Sequence, residues 1–390
     1  MKKLSLLPLF LSTINAIEMT DYRVIYGQYD EAYINGSFNL ESGNQEQISY
    51  DLDFDANTRS IFTTAPYAFE FFAQGSSNFS QTEDKNSSTQ KAYSIFAATR
   101  YDKYLNYNNL FIYSSNDLGY RKQKEAKKAD KTLIKIGLGI GYGRVYNATP
   151  LALTLRIIEE LNKYQIIRGQ LSDVQMLKLA KIIGMKTNYI SKYGNIEYKK
   201  FWFTEMEKIF QDANILLNNS LGTFGVIKMT EVIEIEKISG RFHGWKIRTG
   251  TGQTLSSYDG KSESSTIDGE FSYGLPIGYK AQYIEHALIG KNLDTSTVLD
   301  FELTNNMSYT YEITDLIDWE NIWNFNYSEY SKGDDVIKNE LSTGFRYYLA
   351  NNLTIDSTLN LQKTDGTNGA SIETPEWDTS IFMGVRYRLK

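Results

Sequence analysis

Apolar side chains recur at every second position through most of this 390-residue chain, in runs too long for an ordinary soluble sheet. Near the C-terminus Ile381, Met383, Val385, Tyr387 and Leu389 alternate with Phe382, Gly384, Arg386 and Arg388. Further back, Ile48, Tyr50, Leu52 and Phe54 oppose Ser49, Asp51, Asp53 and Asp55. Ile134, Ile136, Leu138, Ile140 and Tyr142 oppose Lys135 and the glycines 137, 139, 141 and 143, and the pattern returns at 299–303, 307–313, 341–349 and 353–362. Successive side chains of a strand stand on opposite faces, so each run carries one apolar and one polar face. The runs are about 9–12 residues long, against about 5–6 for soluble strands. A tilted membrane-crossing strand takes about 9–11.

Composition narrows the classes further. The 29 tyrosines, 20 phenylalanines and 5 tryptophans suit strands with aromatic girdles at two water–lipid boundaries. The absence of cysteine excludes disulfides, cysteine metal sites and a lipoprotein acyl anchor. No apolar stretch reaches the roughly 18 residues of a transmembrane helix, and mean hydropathy is −0.41, which excludes a helical membrane bundle. A net charge of −6 without a clustered basic face argues against nucleic acid. Met1-Lys2-Lys3, the apolar stretch from Leu4 to Leu11 and the small, polar close from Ser12 to Ala16 predict a cleaved signal peptide, 1–16. Its removal leaves 39 basic and 47 acidic residues, net −8. Export, strand length and aromatic load together predict an all-β membrane barrel with an α-helical insertion, rather than a secreted sandwich or propeller.

The period changes between 147 and 240. Thr149-Pro150 starts a predicted helix running to about Tyr164, with Leu151, Leu155, Ile158 and Leu161 at helical spacing. Ser172-Asp173-Val174-Gln175 is a capping box for a second, which Gly184 closes. A third is predicted over about 198–217 and a weaker fourth over about 229–238. The expected organisation is therefore signal peptide 1–16, first part of the barrel 17–146, helical insert 147–240 and second part of the barrel 241–390. Six strands are expected before the insert, at 32–41, 48–55, 59–73, 91–101, 108–118 and 131–146. Tight turns are expected at Ala56-Asn57-Thr58 and Leu105–Asn108, alternating with long loops. Because tight turns face the periplasm in such barrels, an insert after the sixth strand is expected there. After removal of signal and insert, roughly 20 residues per strand and connection predict about 14 antiparallel strands, within a range of 12 to 16.

Phe382-x-Gly384-x-x-Tyr387-x-Leu389 resembles the C-terminal assembly signal of Gram-negative outer-membrane β-barrel proteins, with Lys390 where that signal carries an aromatic residue. The resemblance implies an outer-membrane, porin-like barrel recognised by the barrel-insertion machinery. The Gly141-Tyr142-Gly143-Arg144 strand leading into a helix is also similar to that of uncharacterised envelope barrels, and brings no activity with it.

By alternation, the expected lumen-facing charges are Asp51, Asp53, Asp55, Lys135, Lys246, Arg248, Asp300, Glu302, Arg346, Asp356, Arg386 and Arg388. With tight turns at 56–58, 304–306 and 350–352, most of the acidic and arginine residues would form a ring of alternating sign at the periplasmic mouth. Arg144 is expected to face lipid and snorkel to headgroups. Arg121, Lys122, Lys124, Lys127, Lys128 and Lys131 make a basic loop suited either to solvent or to lipopolysaccharide phosphates. The glycine row at 137–143 lacks the spacing of a dinucleotide fingerprint and fits an inner barrel face. Only His243 and His286 exist, so no metal or cofactor site is expected, and Glu285-His286 has no nucleophile motif beside it. The expected function is a channel or export conduit for a solute or polymer, with helices that gate it or dock a periplasmic protein or peptidoglycan. The alternatives are a structural or docking barrel with a self-filled lumen and, less favoured, a surface-lipid hydrolase.

Overall fold

The computed structural model describes residues 17–41, 47–82, 89–105, 109–123, 131–235, 239–258, 264–294, 299–331, 335–350, 353–366 and 374–388. The expected signal peptide, and Lys124, Lys127 and Lys128 of the basic loop, lie outside them. Fourteen antiparallel strands close into one barrel in chain order. Before the helices run β1 (Gly27–Glu41), β2 (Ser49–Thr63), β3 (Tyr67–Gln81), β4 (Gln90–Tyr104), β5 (Leu110–Lys122) and β6 (Thr132–Asn147). The helices are α1 (Thr149–Lys163), α2 (Asp173–Gly184), α3 (Lys186–Asp212) and α4 (Gly222–Thr230), followed by a π-helical turn, Glu231–Ile235. The sheet resumes with β7 (Phe242–Ser256), β8 (Ser264–Ile277), β9 (Ala281–Asn292), β10 (Leu299–Thr314), β11 (Ile317–Tyr330), β12 (Val336–Ala350), β13 (Leu353–Asp365) and β14 (Thr374–Arg388). β1 closes on β14 through Tyr33↔Arg388 to Gly36↔Val385, the shortest register in the barrel.

Two expected turns are strand interior. Ala56-Asn57-Thr58 sits in β2, where Asn57 pairs with Tyr33 and Gln74. Thr304-Asn305-Asn306 sits in β10, where Asn306 pairs with His286 and Asn324. Asparagine is a turn former, but a polar lumen accepts its amide as an inner-face residue, so the local signal misleads. The real turn after β2 is Thr64-Ala65-Pro66, and the alternating runs at 299–303 and 307–313 merge into β10. Short turns therefore gather at the barrel end that carries the helices, and longer connections at the other.

The outer face is apolar along every strand: Leu138, Ile140, Phe345, Leu349, Ile381 and Met383 are all exposed. Aromatic pairs border this belt on both sides. Tyr67–Tyr101, Tyr142–Trp245 and Tyr309–Trp319 stand at the short-turn end, with ring centroids 5.7, 5.8 and 6.2 Å apart. Tyr93–Tyr120 and Phe301–Tyr327 stand at the long-loop end, 5.9 and 6.0 Å apart. Such girdles hold a barrel at two lipid–water boundaries.

The helices form their own core. Leu161, Leu179, Trp202, Met206, Phe210 and Met229 are fully buried in it. The Ser172 capping box forms, with Gln175 Oε1 accepting from the Ser172 N–H at 3.0 Å. α3 begins twelve residues before the expected start, because Gly194 (φ 75°) kinks the chain and lets a first segment pack before the expected one. The weak fourth helix likewise begins earlier, at Gly222. A second cluster joins the helices to the barrel: Met19, Tyr22, Ala148, Leu151, Ala152 and Ala180 pack together with Tyr279 of the β8–β9 turn.

Candidate functional site

The lumen wall is built differently on its two sides. On the β2–β9 side, several ion pairs join strands that are not neighbours, among pairs that link adjacent ones. Asp102 of β4 accepts from Arg248 Nε and Nη2 of β7 at 2.9 and 2.8 Å, and Lys246 Nζ lies 3.5 Å from the same carboxylate. Strands spaced about 4.8 Å apart put β4 and β7 about 14 Å apart along the wall, so this pair cuts across the curve. Arg100 of β4 bonds Asp117 at 2.6 Å and reaches Glu270 of β8 at 3.7 Å. Glu270 also takes a charge-assisted bond from Arg248 and lies 3.2 Å from His286 Nε2. Asp102 and Arg248 are buried by this chain of partners. On the same side Arg59 and Glu70 pair at 2.7 Å, and Lys135 meets Asp268 at 2.9 Å.

The β11–β14 side has neighbour-to-neighbour pairs that hug the wall. Arg346 of β12 donates to Asp356 of β13 and Glu320 of β11, both at 2.9 Å, and Arg386 of β14 meets Asp356 at 3.0 Å and Asn35 at 2.9 Å. Asn306, Asn324, Asn326, Asn360 and Gln362 continue this face toward the long-loop end. Asn326 donates to Glu302 at 3.1 Å, Asn324 to Glu340 at 3.3 Å, and Asn360 accepts from Ser342 at 2.6 Å.

At the short-turn end the paired strands β6 and β7 bend out of the wall and across the mouth. Gly143 (φ 101°) and Gly244 (φ 100°) lie diagonally across the two strands, on either side of the Arg144–Trp245 pair, and supply the bend; a Cβ on either would meet backbone oxygen of the other strand. Beyond the bend Arg144 no longer follows the alternation. Its guanidinium donates to Thr64 O and Ala65 O at 3.1 and 3.0 Å and lies 3.5 Å from the Tyr104 ring centroid. The expected lipid-facing snorkel is thus corrected: the left-handed glycine before it turns the side chain inward. Phe242 meets Tyr29 of β1 edge-on at 5.2 Å, and Arg59 of β2 lies 5.8 Å over the Phe242 ring. Arg241 Nη2 and Arg156 Nη2 of α1 bind the two oxygens of Glu312, at the end of β10, at 2.6 and 2.5 Å. Together Tyr29, Phe242, Arg241 and Glu312 form a bar from β1 to β10. α1 and α3 add Glu159–Tyr279 at 2.5 Å and Thr187–Gln28 at 3.3 Å. The cavity above this bar measures about 740 Å³, with Tyr29, Arg59, Phe72, Tyr104, Arg248 and Glu270 in its lining.

The expected mouth ring is only partly assembled. Arg346, Asp356 and Arg386 come together near the β12–β13 turn. Asp51 and Asp53 do not join them: β2 continues to Thr63, so these carboxylates lie toward the long-loop end, where Asn78 bonds Asp51 and, at 2.6 Å, Asp53; Asp55 stands at mid-strand, opposite Asn35, which pairs on its other side with Arg386. Asp300 and Glu302 also lie at the long-loop end, Asp300 being 3.5 Å from Lys291. Both corrections follow from the two misplaced turns. Arg388 pairs with Tyr33 through its backbone, and its side chain lies outside the described residues. Glu285 and His286 contact opposite partners, Tyr283 Oη at 3.2 Å and Glu270, so they form no pair with each other. Arg121 of the basic loop lies 4.3 Å over the Tyr258 ring.

Alternation alone exposes Arg100, Asp102 and Glu270 as inner-face charges, but nothing local says that they meet across the lumen. Arg241 stands outside every periodic run and carries no such signal. The glycine row has a clear purpose: Cβ atoms at Gly139 and Gly141 would meet the rings of Tyr113 and Phe111, which lie flat over β6.

No family model matches the chain, and no curated protein matches it in sequence. Solved structures with similar folds include outer-membrane expressed OmpT of Vibrio cholerae, 10% identical over 93% of this chain and 97% of that one, with a TM-score of 0.34. CdiB from Escherichia coli is 5% identical over 92% of this chain and 63% of that one, TM-score 0.41. Omp33 of Acinetobacter baumannii is 6% identical over 93% and 98%, TM-score 0.32. A closed fourteen-strand barrel with an apolar, aromatic-bordered exterior and a charged lumen is a structure built to cross a bilayer, and this chain is an outer-membrane β-barrel of the Gram-negative kind.

Proposed function

We propose that the barrel is a narrow, off-centre channel for small polar solutes, with the helices as its periplasmic gate. The observation that carries this reading is the asymmetry of the wall. Ion pairs between non-neighbouring strands span the β2–β9 side, where they line the cavity of about 740 Å³, whereas those of the β11–β14 side lie flat along it and are continued by amides. A passage along β11–β14 would offer a solute alternating charges and amide dipoles without a hydrophobic barrier. The bar from Tyr29 to Glu312 would narrow its periplasmic exit. The reading assigns no catalytic group. It places lipopolysaccharide at the long-loop end, and a periplasmic protein or peptidoglycan against the helices.

Planar-bilayer recording tests the reading. Discrete conductance steps are expected from the whole protein, with larger steps after replacement of 150–218 by a short linker. Silence from both proteins, each shown to be folded by its heat-modifiable mobility, sinks the channel. That outcome would favour a structural barrel with a self-filled lumen, the reading that the burial of Asp102 and Arg248 supports.

A further inference from the structure

α1 lies along the rim of the barrel. Arg156 Nη2 is 3.7 Å from Asp315 in the β10–β11 turn, and Glu159 accepts from Tyr279 Oη in the β8–β9 turn at 2.5 Å. Lys163, two turns beyond Arg156, still feels the same Asp315: Glu160, its partner at 2.7 Å, raises its ammonium most, and Asp315 adds to the effect. A helix that touches two turns of the rim, through residues 156 and 159, is held beside it.

The end of this helix carries an unusual surface. Tyr164, its C-cap, meets Phe224 of α4 edge-on at 5.4 Å, and both rings are exposed, as is Ile227 one turn on. Lys228 Nζ lies 4.6 Å from the Tyr164 ring centroid and 5.7 Å from that of Phe224, and Lys163 Nζ lies 5.3 Å from Tyr164. Lys228 also pairs with Glu231 at 2.5 Å. Beside the turn that Arg156 touches, Leu316, next to Asp315, and Ile313 are exposed at the foot of the barrel's apolar belt. Rings and an aliphatic side chain under ammonium groups that carry their own carboxylates match a zwitterionic headgroup layer.

We propose that the Tyr164–Phe224–Ile227 patch docks on the leaflet at the short-turn end of the barrel, making the helical insert a peripheral membrane module as well as a cover for the mouth. The two rings and Ile227 enter the headgroup region, and Lys163 and Lys228 meet its phosphates. Membrane attachment beside the rim would hold the insert against the mouth from outside, independently of the buried pairs at Glu312, and it stands whether or not the lumen conducts.

The cysteine-free chain makes the test direct. Nitroxides are attached singly at Ile227→Cys, Val174→Cys and Ile196→Cys in full-length protein, reconstituted in phosphatidylethanolamine–phosphatidylglycerol vesicles. All three native side chains are exposed, and Ile196 is the most exposed of them. Collision with oxygen, which partitions into lipid, and with a water-soluble nickel chelate is read by power saturation. At 227 the oxygen-to-nickel ratio should exceed that at 196 several-fold and should fall when Tyr164 and Phe224 are both changed to Ser. Equal ratios at 227 and 196 overturn the proposal. Low collision with both reagents at 227 overturns it too, because that signature means burial in protein.

Discussion

Replacing Glu312 with Gln should loosen the helical insert from the barrel more than any other single change of charge there. Glu312 is the shared acceptor of Arg241 and Arg156, and the Arg241 side chain is fully buried. Glutamine keeps the size, removes the charge and turns half of the acceptor into a donor facing a guanidinium. Removing one member of a buried ion pair costs about 3–5 kcal/mol, because the remaining charge stays desolvated. Arg241 keeps Tyr279 O and Ser239 O as acceptors, at 2.9 and 2.7 Å, so the lower part of that range is expected. At about 1.4 kcal/mol per decade, 3 kcal/mol is about a hundredfold in the opening equilibrium.

Hydrogen exchange of the α1 amides, followed by mass spectrometry on the reconstituted protein, measures that equilibrium where closing outpaces exchange. Protection over α1 should fall about a hundredfold while the barrel strands stay protected. The comparison is Glu160→Gln, which removes the partner of Lys163, whose own side chain is about half exposed. Pairs of this i,i+3 kind are worth about 0.2–0.5 kcal/mol, so protection should change by less than about threefold. If the two variants behave alike, Glu312 does not clamp the insert and the account of the bar is wrong.

Other consequences are as specific. Gly143→Ala puts a side chain at φ 101° against the Trp245 carbonyl; with strain of about 1–3 kcal/mol, the heat-modifiable form should melt earlier, whereas Gly75→Ala, inside β3 with ordinary contacts, should leave it unchanged. In the insert, burial alone would raise the Glu234 carboxyl, but bonds from Lys199 and Lys186 outweigh it and hold it below its ordinary 4.5. A lowered folded value stabilises above the unfolded pKa and is lost as pH falls through the folded one. Protection of α3 should therefore weaken as pH drops below about 4.5, and less so in Glu234→Gln. Changing Arg346 and Arg386 to Gln leaves Glu320 and Asp356 without their partners; reversal potentials should move toward cation preference if the passage follows this wall, and an unchanged potential with a lower melting temperature would make the cluster purely structural.

The period-two pattern made the barrel legible because each strand must satisfy two solvents at once, lipid outside and water or charge inside. That requirement repeats every second residue and survives the loss of individual positions. Turns lack this redundancy. Asn57 and Asn306 carry the same local chemistry as turn residues, and only their cross-strand partners show them to be lumen amides. Misplacing two turns sent Asp53, Asp300 and Glu302 to the wrong end of the barrel, although their faces did not depend on it. The helices were readable from caps such as Ser172 and from Pro150, which act within one turn of chain. Strand parity also put them at the short-turn end; how they seat against the mouth was not readable.

What escaped sequence reading was whatever depends on the barrel's curvature. Arg248 meets Asp102 only because the wall bends β7 toward β4, and Arg241 meets Glu312 only because Gly244 turns the chain inward just after it. The left-handed glycines 143 and 244 connect the two scales. Each sits in an otherwise regular alternation, and together they convert a pair of wall strands into a bar across the mouth. The helices are thus carried by the same sheet that they cover, and the bend that admits them also narrows the lumen. A change at the hinge glycines should therefore act on barrel stability and on passage together. A change on the helical surface, such as Phe224→Ser, should leave the strands untouched.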